Sequence, residues 1–179
     1  MNKGRVIAAV RTDKELMAAI KSNTDTIFML APNIQDIKRQ IDAVHTSGKR
    51  IFVHIDLAEG IGKDEYGIRF IKEQGADGII STRSSIIKLA KKEKIPAVQR
   101  FFAVDSKSVA TAIDTAKSTK ADMIEIMPGT LTKVIQKLKS ELDVPVVAGG
   151  LIETAEEIKS ALASGAIAVS TGKSDFWGM

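Results

Sequence analysis

Short apolar runs alternate along this chain with longer segments in which apolar residues recur every three or four positions. Runs of the first kind are typical of buried strands, and segments of the second kind are typical of amphipathic helices. The predicted strands lie at Arg5–Val10, Thr26–Leu30, Arg50–Asp56, Ile79–Thr82, Ala97–Phe102, Lys120–Met127, Pro145–Gly150 and Ser164–Gly172. Their starts are roughly 18 to 28 residues apart, a spacing that indicates eight repeated strand and helix units.

Several helix starts carry capping residues. Thr12, Asp105 and Thr154 each precede a predicted helix, where a side-chain oxygen can accept a hydrogen bond from an unpaired backbone N–H. The eight units predict an α/β fold, a lean (β/α)₈ TIM-like barrel that residues 1–179 form as a single domain. An open doubly wound sheet is the alternative, because a typical barrel has about 250 residues.

The chain stops soon after the eighth predicted strand, so the sequence predicts a truncated or missing final helix. Phe176 and Trp177 then either cover the exposed strand within the chain or contact a second subunit. We therefore expect a homodimer.

Composition excludes several classes of protein. The chain has no cysteine, which excludes disulfides, thiolate zinc sites and a cysteine nucleophile. Since no apolar run is long enough to span a bilayer and no signal sequence precedes the first strand, we expect a cytoplasmic protein. The 26 basic and 22 acidic residues give a formal charge of +4. This excess fits an anionic ligand or RNA, but a solvated lysine-rich surface explains it equally well.

The ends of the seventh and eighth predicted strands favour phosphate binding. Gly149 and Gly150 end one strand and Gly172 ends the other, and bare backbone N–H groups at helix N-termini attract anions. In (β/α)₈ barrels the phosphate site frequently lies after these two strands. The predicted phosphate-binding residues are Gly149, Gly150, Thr171, Gly172 and Lys173.

Polar side chains at or near other strand ends are predicted to gather at the same rim of the barrel. They are Arg11, His54, Asp56, Thr82, Arg83, Gln99, Arg100 and Glu125. Three of them have simpler interpretations: His54 as a hydrogen-bonded barrel histidine, Asp56 as a loop cap and Arg83 as a solvated helix residue. Arg100 and Glu125 lie between apolar neighbours, where a charge needs a partner or a ligand, and Glu125 could be the partner of Arg100.

Arginines, carboxylates and amides beside a phosphate cradle suit a small phosphorylated polyol as the ligand. No lysine except Lys173 falls at a strand end, which argues against a Schiff-base aldolase. The two histidines, His45 and His54, do not form a metal constellation, and we expect neither a metal nor a cofactor. An enzyme stays an alternative, because Asp56 and Glu125 could act as acid and base in an isomerase, aldolase or phosphodiesterase.

Several strings of this sequence resemble those of one known family. They are His54–Ile61, Asp64–Gly67, Ile80–Ser84, Gln99–Phe102, Ile124–Gly129, Gly149–Gly150 and Phe176–Trp177. Over essentially its whole length the chain is similar to the glycerol uptake operon antiterminators, bacterial regulators of glycerol metabolism. The resemblance implies a barrel-like protein that responds to glycerol 3-phosphate, binds the leader mRNA of glycerol-utilisation genes and permits read-through of a terminator. It implies a regulator in place of an enzyme.

The sequence says little about which residues contact RNA. Lys88, Lys91, Lys92 and Lys94 form a basic end of the fourth helix, and Lys133, Lys137 and Lys139 form another basic face. Neither set has the interleaved aromatic residues of a single-strand platform. Solvated helix faces are therefore the alternative interpretation of both.

Overall fold

Eight parallel strands pair in chain order and the last pairs with the first, so the sheet closes into a barrel. The computed structural model describes residues 5–179. The strands are β1 (Val6–Val10), β2 (Thr26–Met29), β3 (Arg50–His54), β4 (Gly78–Ser81), β5 (Ala97–Phe102), β6 (Met123–Met127), β7 (Val146–Gly149) and β8 (Ala168–Thr171). The helices are α1 (Asp13–Lys21), α2 (Ile37–Thr46), α3 (Glu65–Glu73), α4 (Ser84–Lys92), α5 (Ser106–Thr119), α6 (Thr132–Glu141) and α7 (Ala155–Ala163).

The predicted (β/α)₈ barrel is confirmed. The pairing of β1 with β8, in which Ile7 lies opposite Ser170, excludes the open doubly wound sheet. The shortness of the chain is explained by short elements, because β1 has 5 residues and α1 has 9. This short barrel therefore has the full number of eight strands, each of them short.

The end of β3 differs from the prediction. The strand stops at His54, and Ile55–Leu57 form a 3₁₀ turn that is closed by the N–H of Ala58 donating to the carbonyl oxygen of Ile55 at 3.1 Å. Asp56 lies in this turn. The prediction that the third strand extends to Asp56 is therefore wrong.

Alternation along the strands divides the apolar residues into two cores. The outer core lies between the sheet and the helices and includes Ile27, Ile51, Ile79, Ile124 and Val169. The inner core fills the barrel and includes Phe28, Phe52, Ile80, Val98 and Val147. On β5 and β6 the interior positions that follow Val98 and Met123 are Arg100 and Glu125, so polar side chains take over toward the carboxyl end of the barrel.

The predicted helix caps are confirmed. Thr12 and Thr154 each accept a hydrogen bond from the N–H three residues later. In return, the carboxylates of Glu15 and Glu157 accept a hydrogen bond from the backbone N–H of the cap residue. Asp105 caps α5 in the same way. These capping boxes hold the loops that precede α1, α5 and α7 at the carboxyl end of the barrel.

The residues after β8 cover the outside of the barrel within the same chain. A 3₁₀ turn, Ser174–Phe176, follows β8, so the predicted absence of a full final helix is confirmed. Trp177 is 2% exposed and belongs to the outer core, and its Nε1 donates to the carbonyl oxygen of Thr171 at 2.8 Å. Of the two roles predicted for this residue, the structure shows the cover within the chain. The homodimer was predicted partly from an exposed Trp177, so this residue no longer supports it.

Replacing Trp177 tests this role of the chain end. We expect Trp177→Ala to lower the free energy of unfolding by about 3–5 kcal/mol, because it leaves a large cavity in the outer core. Trp177→Phe should lower it by about 1–3 kcal/mol, because the carbonyl of Thr171 loses its donor. Urea denaturation followed by circular dichroism measures both. Met179→Ala, a change of a side chain that is 42% exposed, is the control. A cost below about 1 kcal/mol for Trp177→Ala contradicts the role.

Candidate functional site

A pocket of about 310 Å³ opens at the carboxyl end of the barrel, and we call it the rim pocket. It is lined by Ala9, Arg11, Leu30, Arg100, Glu125, Met127, Gly150, Leu151, Ile152, Glu153, Ser170, Thr171, Gly172 and Lys173. Its volume lies at the lower end of the range for small-molecule sites, roughly 300–1,000 Å³. The rim pocket therefore suits a small metabolite.

A buried ion pair lines the rim pocket. The Nε of Arg100 donates to Oε2 of Glu125 at 2.7 Å, and the hydroxyl of Ser170 donates to Oε1 of the same carboxylate. The side chain of Glu125 is 0% exposed and that of Arg100 is 8% exposed. The pair forms because β5 and β6 place the two residues at matching register positions inside the barrel. The partnership predicted from the sequence is present.

The protein uses one edge of the Arg100 guanidinium and leaves the other edge free. Among residues 5–179, Nη1 and Nη2 have no hydrogen-bond partner, and neither atom is fully buried. A guanidinium is a planar fork that can bind a phosphate or a hydroxyl through these two nitrogens. Glu125 therefore fixes the orientation of Arg100 and leaves its free edge for a ligand.

Gly149 makes room for the ion pair. A Cβ at this position would lie 2.4 Å from Oε1 of Glu125 and 2.5 Å from the hydroxyl of Ser170. Gly149 is absent from the lining of the rim pocket, so its role differs from the predicted contact with phosphate. Gly150 does line the pocket, with φ +72°, and a Cβ there would meet Cε of Met127 at 2.8 Å.

Two glycines and two cations are among the residues that line the rim pocket. In the described part of the chain, the N–H groups of Gly150 and Gly172 donate to no backbone acceptor. Arg11 and Lys173 are exposed, and neither side chain forms an ion pair within residues 5–179. Together with Thr171, four of the five predicted phosphate-binding residues line this pocket. Glu153 lines the same pocket.

The N-terminus of α7 is less available than the sequence suggests. The carboxylate of Glu157 accepts the N–H of Glu153 at 2.7 Å and that of Thr154 at 2.9 Å. These bonds hold the pKa of Glu157 below its ordinary value. The Glu157 carboxylate thus already occupies N–H groups at the start of α7. The donors left for the expected anion are the glycine N–H groups and the cations.

His54 lies inside the barrel without a partner. It is 3% exposed, and both of its ring nitrogens are buried without a hydrogen bond to any described residue. Burial, followed by the nearby charge of Arg100, lowers the pKa of His54 to about 4 against the opposite effect of Asp56. The ring is therefore neutral at pH 7. The structure does not support a hydrogen-bonded barrel histidine, and His54 does not line the rim pocket.

Asp56, Thr82 and Arg83 form a second polar cluster outside the rim pocket. The Asp56 carboxylate accepts the hydroxyl of Ser81 at 2.7 Å, and the N–H and hydroxyl of Thr82 at 2.7 and 2.9 Å. Arg83 Nε lies 3.9 Å from it. Burial raises the pKa of Asp56, but the bonds from Thr82 and Ser81 outweigh it and hold the pKa below its ordinary value. Asp56 thus ties the loop after β3 to the loop after β4, which agrees with its interpretation as a loop cap.

Gln99 lies on the outer face of the sheet, which packs against the helices, whereas the rim pocket is lined from the inner face. Its Nε2 donates to the hydroxyl of Ser84 at 3.2 Å, and its Oε1 accepts the hydroxyl of Thr119 at 2.6 Å. The residue is 0% exposed, between the sheet and the helices. Its predicted place at the rim is wrong, because alternation along β5 turns Val98 and Arg100 inward and Gln99 outward.

Two polar residues of the rim pocket, Ser170 and Glu153, are not among the predicted site residues. Ser170 could have been found, because alternation places it on the same face of β8 as Ala168 and Gly172. Glu153 belongs to the loop between β7 and α7, where no periodic pattern indicates which side chains face a pocket.

The predicted RNA-binding lysines lie away from the rim pocket. Helices run back along the barrel, so the carboxyl end of α4 lies at the opposite end from the strand ends. Lys91 forms an ion pair with Asp122, and Lys92 lies 3.7 Å from Glu65. Lys88 and Lys94, the other two lysines of this set, are exposed.

Residues 5–179 contain neither a cluster of metal ligands nor a membrane-spanning helix. Between residues 5 and 179, no group of three or more His, Asp or Glu side chains is arranged to hold a metal ion. None of the helices in that range combines the length and the apolar composition that a membrane span needs.

The buried ion pair predicts the effect of removing its negative charge. Glu125→Gln should lower the free energy of unfolding by about 3–5 kcal/mol, because Arg100 is then left buried without a counter-charge. Glu156→Gln is the matched control, since that side chain is 81% exposed and its pairing contributes little. Urea denaturation measures both. Equal unfolding midpoints for the two variants would contradict the importance of the pair.

His54 predicts a loss of stability in acid. The unfolded chain takes up a proton near pH 6.5, whereas folded His54 does so at about pH 4. The free energy of unfolding therefore decreases as the pH falls through this window, by about 1.4 kcal/mol per pH unit and about 3 kcal/mol in total. His54→Gln should remove this part of the pH dependence. Unfolding free energies of wild type and variant from pH 7 to pH 4 test it, and parallel curves would refute it.

Known proteins similar to this chain include one from Escherichia coli and two of known structure. The E. coli (strain K12) protein YgcP is 35% identical over 178 residues, which are 99% of this chain and 93% of that protein. The glycerol uptake operon antiterminator regulatory protein from Listeria monocytogenes has a TM-score of 0.92 and 35% identity, and the match covers 99% of this chain and 96% of that one.

A glycerol uptake operon antiterminator-related protein from Thermotoga maritima has a TM-score of 0.89 and 36% identity, with all of both chains covered (100% and 100%). More distant neighbours include aldolases, such as the deoxyribose phosphate aldolase of Aeropyrum pernix with 15% identity and a TM-score of 0.74, and these show the fold alone. The family model described as glycerol-3-phosphate responsive antiterminator matches residues 6–177. This chain therefore belongs to the family of glycerol-3-phosphate responsive antiterminators.

Proposed function

We propose that this protein binds glycerol 3-phosphate in the rim pocket and, in that state, binds the leader mRNA of glycerol-utilisation genes and permits read-through of a terminator. The observation that carries the proposal is the composition of the pocket. It is lined by two cations that form no ion pair within residues 5–179, by two glycines whose N–H groups donate to no backbone acceptor there, and by Arg100 with its free Nη atoms. A ligand with a phosphate and hydroxyls would match this set of groups.

In the proposed pose, the phosphate is bound by Arg11, Lys173 and the N–H groups of Gly150 and Gly172. Charge-assisted bonds of this kind are the strong ones, and glycine lets the backbone approach the phosphate oxygens. The glycerol hydroxyls reach the free Nη atoms of Arg100, and the carboxylate of Glu153 accepts a hydrogen bond from a hydroxyl. This pose uses every charged group of the pocket that is free for a ligand.

The same geometry favours a sensor over an enzyme. Asp56 is held by three hydrogen bonds outside the pocket, and Glu125 is held by Arg100 and Ser170. A general base must be free to take a proton from its substrate, and neither carboxylate is free. Lys173, the lysine of the pocket, is exposed, whereas a Schiff-base lysine commonly lies desolvated in an apolar pocket.

Regulation in this proposal comes from differential affinity. Ligand contacts to Gly150 and Gly172 would order the loops after β7 and β8 and shift the protein toward an RNA-competent state. Ordinary coupling of this kind requires that glycerol 3-phosphate bind the competent state more tightly by roughly 1–3 kcal/mol. We expect the protein to act in the cytoplasm, where the transcript is made. Its assembly as a homodimer stays a prediction.

The proposal is tested by RNA binding with and without the ligand. A labelled leader transcript of a glycerol-utilisation operon is titrated with protein at one fixed salt concentration, because phosphate contacts make affinity salt-dependent. We expect glycerol 3-phosphate to raise the affinity by about 5- to 150-fold and glycerol alone to have no effect. Absence of RNA binding in both conditions, together with consumption of glycerol 3-phosphate over time, would support the alternative, an enzyme acting on a small phosphorylated polyol or sugar.

The proposed phosphate contacts predict the effect of two substitutions. Arg11→Gln and Lys173→Gln should each weaken binding of glycerol 3-phosphate by about 10- to 100-fold, because each removes a charged hydrogen-bond donor. Lys159→Gln, on α7 with its side chain 71% exposed, is the matched control. Isothermal titration calorimetry measures all three affinities. Unchanged affinity in both pocket variants would place the phosphate elsewhere.

A further inference from the structure

A second opening, which we call the outer groove, lies between the end of β5 and the first turns of α5. It has a volume of about 470 Å³. An aromatic and an aliphatic side chain form its apolar part, since Phe102 is 56% exposed and Val104 is 82% exposed. Lys107 and the hydroxyls of Thr82 and Thr111 form its polar part. The groove therefore combines an exposed ring, a cation and neutral hydrogen-bonding groups.

The outer groove and the rim pocket share Arg100, which lines both. Its side chain is more than nine-tenths buried, and its Nη atoms have no partner in the described part of the chain. Because these two nitrogens are not fully buried, they are available to an acceptor from outside the protein. Arg100 is thus placed to contribute to a ligand in either opening.

We propose that the outer groove binds one unpaired nucleotide of the leader RNA. This inference rests on the proposed function, because it assigns a surface to the RNA partner. The base stacks on Phe102 and contacts Val104, and the adjoining phosphate is bound by Lys107 and by Arg100. Sequence-specific RNA recognition commonly uses such splayed-out bases, stacked on aromatic rings and held by nearby cations.

The composition of the groove favours RNA over a protein partner. Its one carboxylate, on Asp105, already accepts the N–H of Ser108 at 2.7 Å as the cap of α5. The remaining charges, Lys107 and Arg100, are both positive, and the threonine hydroxyls can bond to base edges or to a ribose 2′-OH. The groove is also well within the size range of a small-ligand site, roughly 300–1,000 Å³, which suits a single nucleotide.

Shared use of Arg100 links the RNA to the ligand. Glu125 holds Arg100 through Nε alone, so glycerol 3-phosphate in the rim pocket would remove the motion that is left at the Nη edge, and less ordering would remain for the RNA phosphate to impose. By thermodynamic linkage, RNA in the outer groove then raises the affinity for glycerol 3-phosphate by the same factor. The two sites communicate through one side chain, without any large movement of the barrel.

The test uses paired variants of exposed residues. Phe102→Ala removes the ring, and Ile167→Ala, at a position that is 45% exposed before β8, is its control. Lys107→Gln removes the cation, and Lys159→Gln is its control. RNA affinity is measured with the labelled leader transcript at saturating glycerol 3-phosphate and fixed salt, and ligand affinity is measured without RNA by calorimetry.

We expect Phe102→Ala to weaken RNA binding by about 5- to 100-fold and Phe102→Trp to retain it, because stacking needs a ring of any kind. Lys107→Gln should weaken RNA binding and lower its dependence on salt. The controls should match the wild type, and ligand affinity without RNA should stay within about twofold in all variants, since none of these residues contacts the proposed ligand.

Three results would overturn the inference. One is wild-type RNA affinity in Phe102→Ala, while the wild-type protein itself responds to ligand, a result that leaves the proposed function intact. Another is a loss of RNA affinity that follows a change in oligomeric state, measured by sedimentation, because the groove is then a contact between subunits. The last is wild-type protein that binds no transcript in either condition, which refutes the proposed function as well.

Discussion

The buried pair of Arg100 and Glu125 is the interaction on which the rest of the site depends. Two charges inside a barrel cost free energy unless each is paired and the remaining atoms are satisfied. The second oxygen of Glu125 is satisfied by Ser170, and Gly149 is small enough to let both groups approach. Because Glu125 uses only the Nε of Arg100, the pair leaves a fixed and partly vacant guanidinium. A fixed donor of this kind can recognise a ligand without first being ordered.

Much of this arrangement can be predicted from the sequence where a strict period applies. Strand alternation places Arg100 and Glu125 on the inner face, and the eightfold repeat predicts closure of the barrel. Capping boxes at Thr12 and Thr154 follow from local spacing alone, because a cap involves residues only three positions apart.

The wrong or missing predictions concern residues whose placement depends on tertiary contacts or on loops and not on a periodic pattern. Asp56 was placed on a strand that in fact ends two residues earlier, and a turn redirects its carboxylate to the loop after β4. Gln99 was placed at the rim by its position near a strand end, although alternation with Arg100 turns it outward. Glu153 could not be found, because loops have no period that assigns a direction to each side chain.

The aldolases that share this fold show why the fold does not decide the function. A barrel presents polar groups at the carboxyl ends of its strands whatever their use, and catalysis requires that some of them be free to move protons. In this chain the interior carboxylate is paired, and the nearby carboxylate of Asp56 ties two loops together. Binding and release of an unchanged ligand are consistent with groups held in this way.

The most direct test of the central claim is a crystal structure of the protein with glycerol 3-phosphate. The account predicts one ligand in the rim pocket, its phosphate within hydrogen-bond distance of the N–H groups of Gly150 and Gly172, and a hydroxyl at the free Nη atoms of Arg100. A phosphate bound away from these two glycines, or an Arg100 that leaves Glu125 to meet the ligand, would contradict it.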